Sequence, residues 1–383
     1  MDRRIIVRLG RGEEREPRPG KRTDPERAYP IEIGARQERR IATYLRTRGE
    51  TGTIALVSDK HLEGEASRLA EAIATQGLKV TRFLLAPGET NKTLGVLQQL
   101  QNAFLAAGLD RSSLVVALGG GMVGDLAGFA AATYMRGLPW IYVPTTLLAI
   151  VDAAIGGKVA VNLPAAKNAC GTFHHPEYVF GDVAHLATLP ERQRRSGAVE
   201  VVKYAMIADA ELFDRLEQEI EAFLALQPDS LLPIVARCCE IKAEIVMQDE
   251  RERGLRRILN YGHTIGHAIE TLTGYQNYLH GEAVALGMRV EGVLATELAG
   301  LSTKELERQE CLLERLLPDL SLPDLSSEAL IETLKCDKKS YRGSVMFALP
   351  TAIGRMWVGE GDFRIGVSPD AILAAYETVS RAR

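Results

Sequence analysis

Leu114–Asp125 reads LVVALGGGMVGD, and the class of the fold follows from the way that stretch changes character. Five apolar residues without alternation suit a strand buried on both faces, as in a parallel sheet. Three glycines follow at once, and an apolar helical stretch opens behind them. Glycines at such a turn let backbone approach a pyrophosphate, and a helix N-terminus favours negative charge. The spacing is not a strict G-x-G-x-x-G, so taken alone it describes an ordinary tight strand–helix turn equally well.

Working outward, the same alternation repeats on both sides. Thr53–Val57 is strand-like, and Leu62–Gln76 has helical spacing closed by Gly77. Val80–Leu85 is a second strand and Asn91–Ala107 a second helix, closed by Gly108. Trp140–Val143 and Tyr178–Phe180 read as further strands. Strand–helix alternation predicts an α/β domain built on a parallel, Rossmann-like sheet. Asp59 and Gly88–Lys92 follow early strands, where loops of such a sheet converge on a ligand. A carboxylate for ribose hydroxyls would come from there, although turn and N-cap chemistry explains the same residues.

The texture changes after Leu189-Pro190. Asp209–Leu226, Leu231–Gln248, Thr264–Leu272 and Glu282–Leu298 have helical spacing, with no convincing strand before about Leu317. Residues 343–358 revert to short β-like runs that suit a hairpin. The expected organisation is a flexible, Arg-, Glu- and Pro-rich leader over residues 1–28, an α/β domain over 29–190 and an α-helical domain over 191–383. Within the leader, Ile5-Ile6-Val7 suits a short edge strand.

The 383 residues are 46% hydrophobic, with 46 Lys plus Arg against 50 Asp plus Glu, a net charge of −4. That balance gives no support to a general nucleic-acid binder or a polybasic membrane binder. Five cysteines, with no C-x-x-C, suit a reducing cytoplasm better than a disulfide framework. No apolar run approaches the length of a membrane span, and the N-terminus lacks the apolar core of a signal peptide.

Two groups of residues point to chemistry. Of seven histidines, three fall in one short stretch: His263, His267 and His280. His263 and His267 are four apart and share a helix face, where both can touch one ion. Such a pair is often only a packed pair, and Thr264 stands where a zinc protease carries Glu. A third imidazole and a carboxylate such as Glu200 would complete a Lewis-acid site. The second group is a set of cations and amides, each ordinary on a solvated face. Lys158, after Gly156-Gly157, and Lys203 are the exceptions, because a lysine among small apolar residues is costly unless an anion meets it.

Seven blocks together resemble the 3-dehydroquinate synthase family of the sugar-phosphate cyclase superfamily, over nearly all of the chain from about Tyr29. They are GGGMVGDLAGFAAATYMRG, VPTTLLAIVDAAIGGKVAVN, KNACGTFHHP, TLPERQRRSGAVEVVKYAMI, CCEIKAEIVMQDERERGLRRILNYGHTIGHAIE, YLHGEAVALGM and CDKK. The resemblance implies an NAD-binding α/β domain, a helical metal- and substrate-binding domain, and an active site between them. It implies one divalent metal, zinc or cobalt, on Glu200, His263 and His280. NAD contacts would be Asp59, Glu89, Lys92, Gly119, Gly120, Gly121, Asp125, Thr145, Thr146, Lys158 and Lys167. Substrate contacts would be Asp152, Lys158, Asn168, Lys203, Lys242, Arg256, Asn260, His267 and one or both of Lys338 and Lys339. Arg136 would reach the phosphate from the neighbouring subunit of a homodimer.

The implied substrate is 3-deoxy-D-arabino-heptulosonate 7-phosphate, closed to 3-dehydroquinate by transient oxidation, β-elimination of phosphate, re-reduction and an intramolecular aldol step. Ala153, Ala154 and Val159 depart from residues common in the family and sit beside the expected substrate contacts. The competing readings are a cyclase for sedoheptulose 7-phosphate or glucose 6-phosphate, a metal-dependent polyol dehydrogenase, and a non-catalytic paralogue. The intact set of Lys242, Arg256, Asn260, His267 and Asp337-Lys338-Lys339 favours the first reading.

Overall fold

The structure is a computed structural model that describes residues 2–9, 28–49, 52–164, 166–336, 340–341 and 344–381. The chain divides into two compact units, Met1–Leu189 with Lys242–Met247, and Pro190–Ile241 with Gln248–Arg383. A single cut at residue 190 therefore misses one short helical segment that groups with the first unit.

The first unit is built on a seven-stranded sheet. Its strands are β1 (Arg3–Arg8), β2 (Ala28–Gly34), β3 (Ile54–Asp59), β4 (Val80–Leu85), β5 (Leu114–Gly119), β6 (Trp140–Pro144) and β9 (Tyr178–Asp182), in the order β1-β2-β9-β6-β5-β3-β4. All neighbours are parallel except β1 and β2. The leader expected over residues 1–28 thus opens with an ordered edge strand, because Ile5, Ile6 and Val7 pair with Ile31, Pro30 and Tyr29. Residues 10–27 lie outside the described residues.

Both faces of the sheet are covered, which is why its central strands are largely apolar. Helices α1 (Glu38–Thr47) and α2 (Glu63–Ala74) bring Ile41, Leu45, Leu69 and Ile73 against Leu56, Val116, Leu118 and Ile141. The chain runs from β3 outward to β4, through α3 (Leu94–Ala106), and returns to place β5 on the other side of β3. That reversal opens a crevice at the carboxyl ends of β3 and β5, the usual ligand position in such sheets. Ser58 pairs with Leu118, so Asp59 and Gly119 leave the sheet side by side. Helix α4 (Gly121–Thr133) starts immediately after the glycine turn.

A hairpin of β7 (Lys158–Leu163) and β8 (Ala166–Phe173) has no counterpart in the sequence reading. Its second strand, AKNACGTF, lacks alternation because most of its side chains are exposed. A single π-helical turn, Ala149–Ala153, was equally invisible to periodicity.

The second unit is largely helical: α5 (Glu191–Ala208), α6 (Ala210–Leu224), α7 (Pro228–Gln248) apart from its Lys242–Met247 stretch, α8 (His263–Leu272), α9 (His280–Leu298), α10 (Thr303–Leu316), α11 (Ser327–Cys336) and α12 (Pro369–Arg381). It is not all helix. Short strands β10 (Ser340–Tyr341), β11 (Ser344–Phe347) and β14 (Ile365–Val367) form one small sheet. The hairpin expected over 343–358 is the pair β12 (Pro350–Ala352) and β13 (Arg355–Met356). Val345, Phe347 and Val367 from this sheet join Ile265, Ile269, Leu286 and Val290 in one apolar core. That core seats α8 and α9 beside each other. Among the described residues no helix is long and apolar enough to cross a membrane.

Candidate functional site

In the first unit the strand ends deliver a polar cluster. Lys92, only 3% exposed, bonds through Nζ to Asp125 Oδ2 at 2.5 Å and to Asn168 Oδ1. Asn168 holds a positive φ of 53°. Asn162 donates to Glu89 Oε1 at 2.9 Å and accepts the Asn168 N–H at 2.8 Å, which ties β7 to the loop after β4. Burial pushes the Asp125 carboxyl above its ordinary range, and the Lys92 ammonium pulls it back part of the way.

The glycine turn itself is tight. Gly120 accepts the Gly124 N–H at 3.0 Å and the Tyr142 hydroxyl at 2.9 Å. The first turn of α4 carries no acidic side chain, so its N–H groups and dipole favour an anion. Asp59 caps the short turn after β3 by accepting the His61 N–H at 2.8 Å. Thr145 is buried and donates its N–H to Gly119; Thr146 accepts the Ala149 N–H. Asp152 receives Lys242 Nζ at 2.6 Å, an ion pair within this unit. Lys158 and Lys167 lie on β7 and β8. Arg136 is exposed, with a φ of 71°, just after Met135 at 50°.

In the second unit three helices converge. Glu200 on α5 is fully buried, and its Oε1 lies 3.5 Å from His263 Nε2 and 3.6 Å from His280 Nε2. Lys203, one turn further along α5 and 1% exposed, meets the other carboxylate oxygen. The His263 and His267 ring centroids are 5.4 Å apart, and those of His263 and His280 5.3 Å. Glycines permit this convergence. A Cβ on Gly287 would sit 1.9 Å from the Gly262 carbonyl oxygen, and one on Gly281 would sit 1.9 Å from the Ser196 carbonyl oxygen. Helix α9 therefore approaches α8 and α5 backbone to backbone. Arg192 adds a bidentate pair to Glu282, at 2.6 and 2.8 Å, fastening α5 to the first turn of α9.

The two imidazoles sit in opposite electrostatic settings. Burial, reinforced by the Lys203 cation, lowers His263 to about 3, so its ring is neutral and offers a lone pair. Burial also works against charge on His280, but hydrogen bonds to Glu200 and Glu270 overcome it and hold that ring at about 9. A carboxylate and two imidazoles, with ligand atoms all within 4.8 Å of one another, suit a divalent cation of the zinc type.

In the segment before α8, Asp249 accepts the N–H groups of Arg253, Gly254 and Arg256 at 2.8–3.0 Å and so shapes the loop that carries Arg256. The buried Arg256 donates to the Glu250 carbonyl, and Asn260 donates to Glu252 Oε1 at 2.9 Å. Lys338 and Lys339 lie outside the described residues.

The 3-dehydroquinate synthase N-terminal model matches residues 82–196, and the 3-dehydroquinate synthase C-terminal model matches 197–340. The chain is 46% identical over 337 residues to the 3-dehydroquinate synthase of Gloeobacter violaceus, covering 88% of this chain and 93% of that one. It is 49% identical over 295 residues to that of Pelotomaculum thermopropionicum, covering 77% and 80%. The chain belongs to the 3-dehydroquinate synthase family.

Among solved structures, a 2-deoxy-scyllo-inosose synthase complexed with carbaglucose-6-phosphate, NAD+ and Co2+ matches with a TM-score of 0.84 at 28% identity, covering 92% of this chain and 97% of that one. A 2-epi-5-epi-valiolone synthase from Streptomyces hygroscopicus, with NAD+ and Zn2+ bound, matches with 0.83 at 27%, covering 95% and 99%. A glycerol dehydrogenase from Schizosaccharomyces pombe, at 17% identity and 0.62, covers 91% of this chain and 88% of that one and shares the fold.

The sequence reading passed over three acids and an amide that the structure sets among the expected site residues. Glu270 lies three residues after His267 and seven after His263, on the same face of α8, a spacing that would have found it. Glu252 and Asn162 had no such signal, because each acts from a loop or strand end. Glu291, fully buried on α9, accepts the Gly262 and Ile265 N–H groups at 2.7 and 3.1 Å and so caps the N-terminus of α8, where His263 sits.

Proposed function

We propose that this chain converts 3-deoxy-D-arabino-heptulosonate 7-phosphate to 3-dehydroquinate and phosphate, using NAD and one divalent metal. The observation that carries the reading is the meeting of Glu200, His263 and His280 around one point. Those three residues would hold zinc or cobalt, and the strand-end cluster of Asp59, Glu89, Lys92, Gly119–Gly121, Asp125, Thr145 and Thr146 would hold NAD, with Lys158 and Lys167 adding cations. When bound, NAD+ accepts and later returns one hydride, and the cation acidifies the sugar hydroxyls it touches.

The protein's own residues supply charge and orientation. Arg256 and Lys242 are cations for the sugar-acid carboxylate. Lys158, Asn168, Asn260 and His267 are donors for the phosphate, whose departure by β-elimination is eased by every donor that stabilises its charge. Asp152 fixes the Lys242 ammonium by their ion pair at 2.6 Å. Lys203 sets its ammonium beside Glu200, where it counters the carboxylate's charge and favours a neutral His263. One or both of Lys338 and Lys339 belong to the same substrate set. A homodimer in the cytoplasm is part of the proposal, with Arg136 reaching the partner subunit's phosphate site.

The test is phosphate release from purified protein supplied with NAD+ and zinc. Release from the seven-carbon sugar acid without net NADH is expected. Release from sedoheptulose 7-phosphate or glucose 6-phosphate instead, or stoichiometric NADH, would overturn the reading. His263→Ala is expected to abolish turnover while circular dichroism shows the helices intact; turnover in a demonstrably metal-free sample would refute the ligand assignment.

A further inference from the structure

We infer that Glu270 is a positioning residue that fixes the ring orientation and tautomer of His280 toward the cation. The inference rests on the metal reading above and goes beyond the ligands themselves. The Glu270 carboxylate is 4% exposed, and both its oxygens lie 3.3 Å from His280 Nδ1. The other ring nitrogen, Nε2, points to Glu200. A carboxylate only accepts, so the proton of a neutral His280 sits on Nδ1 and the lone pair on Nε2.

His263 gives the comparison. Its Nδ1 lies 3.1 Å from the Tyr261 carbonyl oxygen, also an acceptor only, and its Nε2 faces the same Glu200 oxygen. The two rings are thus turned the same way, one by backbone and one by a buried acid. Glu270 is the replaceable half of that arrangement. His267, Glu270 and His280 also bring ligand atoms within 4.8 Å, so they resemble a second cation site. The two groups share His280, and a neutral ring that donates its Nδ1–H to Glu270 has one lone pair to offer, on Nε2, which faces Glu200. The acid therefore serves as an outer support to the first site and does not ligate a second ion.

The test uses metal-depleted, full-length wild type, Glu270→Ala, Glu270→Gln and His263→Ala. Zinc affinity is read by competition with a chromophoric chelator, stoichiometry by atomic emission, and ligand geometry by the visible spectrum of the cobalt form. Glu270→Ala is expected to weaken zinc about 10–100-fold at an unchanged one metal per chain, with an altered cobalt spectrum. Glu270→Gln, whose amide oxygen still accepts, is expected to lose about 3–10-fold, and it decides the matter should the alanine variant not fold.

Wild-type affinity and spectrum in both variants, while His263→Ala loses zinc, overturn this inference alone. A wild type that binds two ions, of which only one is lost in Glu270→Ala, overturns it too, since Glu270 would then be a ligand. A wild type that binds no zinc, or a His263→Ala variant of undiminished affinity, overturns the ligand assignment and this inference together.

Discussion

The two units assemble polar residues by different means. In the first, Lys92 comes from a loop, Asn162 and Asn168 from near the ends of β7 and β8, and Asp125 from the second turn of α4, and hydrogen bonds between these segments make them neighbours. In the second, Glu200, His263 and His280 come from the faces of three helices, and backbone-to-backbone packing through glycine decides how near they come. Charge is handled differently as well. The Lys92–Asp125 pair is partly open, with Asp125 21% exposed, whereas Glu200 and Lys203 are almost wholly enclosed. A partly open cluster has water to share its cost; an enclosed one depends on its own geometry. The helical site should therefore be the less forgiving of the two.

The strongest challenge to that contrast is Glu200→Ala. It removes a carboxylate from beside a buried ammonium, and a loss of about 3–5 kcal/mol in urea unfolding is expected. Phosphate release should fall at least about 100-fold, the scale of one lost electrostatic contact in a water-excluded site. Adding Lys203→Met should return much of the stability and none of the activity. A single variant as stable as wild type would break the comparison.

Next in size is the glycine pair. Gly287→Ala sets a methyl against a carbonyl oxygen that cannot turn aside, so we expect a loss of about 3 kcal/mol together with weakened zinc binding, as α9 is levered from α8. Gly124→Ala sets its methyl 2.2 Å from the Tyr142 ring carbon Cζ, the far end of a side chain. A smaller loss of about 1 kcal/mol is expected there, with zinc affinity unchanged and NAD affinity reduced. Calorimetry on both variants ranks them, and the reverse order would contradict the account of the helical unit.

Between the two glycine variants in size is Lys92→Met, for which a loss of about 1.5 kcal/mol at neutral pH is expected. Burial already raises the Asp125 carboxyl, and removing the ammonium should raise it further. An acid whose folded value lies above its unfolded value binds more protons when folded, so stability falls as pH rises between the two values. The deficit of the variant should therefore shrink as pH is lowered below neutral toward the raised Asp125 value. Denaturation midpoints at a series of pH values check the sign, and a deficit that grows toward acid would refute it.

Much of this was legible in the sequence. LVVALGGG predicts a buried strand and its turn because a central parallel strand covered on both faces favours apolar residues and a tight turn before a helix favours glycine. His263 and His267 announce a shared face by their spacing. The β7–β8 hairpin was hidden, since exposed strands need no alternation, and so were Asn162, whose partner Glu89 lies far away in sequence, and Glu252, which meets Asn260 from a loop without a period. Beyond the β-like runs expected over residues 343–358, the helical reading of the second half missed β10 and β14, where strands of two and three residues are too short to show a period.

What the chain determines locally, then, is which residues have the chemistry: a carboxylate on one helix, imidazoles on two others, glycines at a strand end. What only tertiary structure decides is their distance and direction. That Glu200 lies within 3.6 Å of both Nε2 atoms, and that Glu270 and Tyr261 take up the two Nδ1 positions, depends on how closely α5, α8 and α9 pack. Periodicity reports the face a side chain occupies. It carries no information on what stands opposite, because that is set by backbone contacts between segments far apart in the chain.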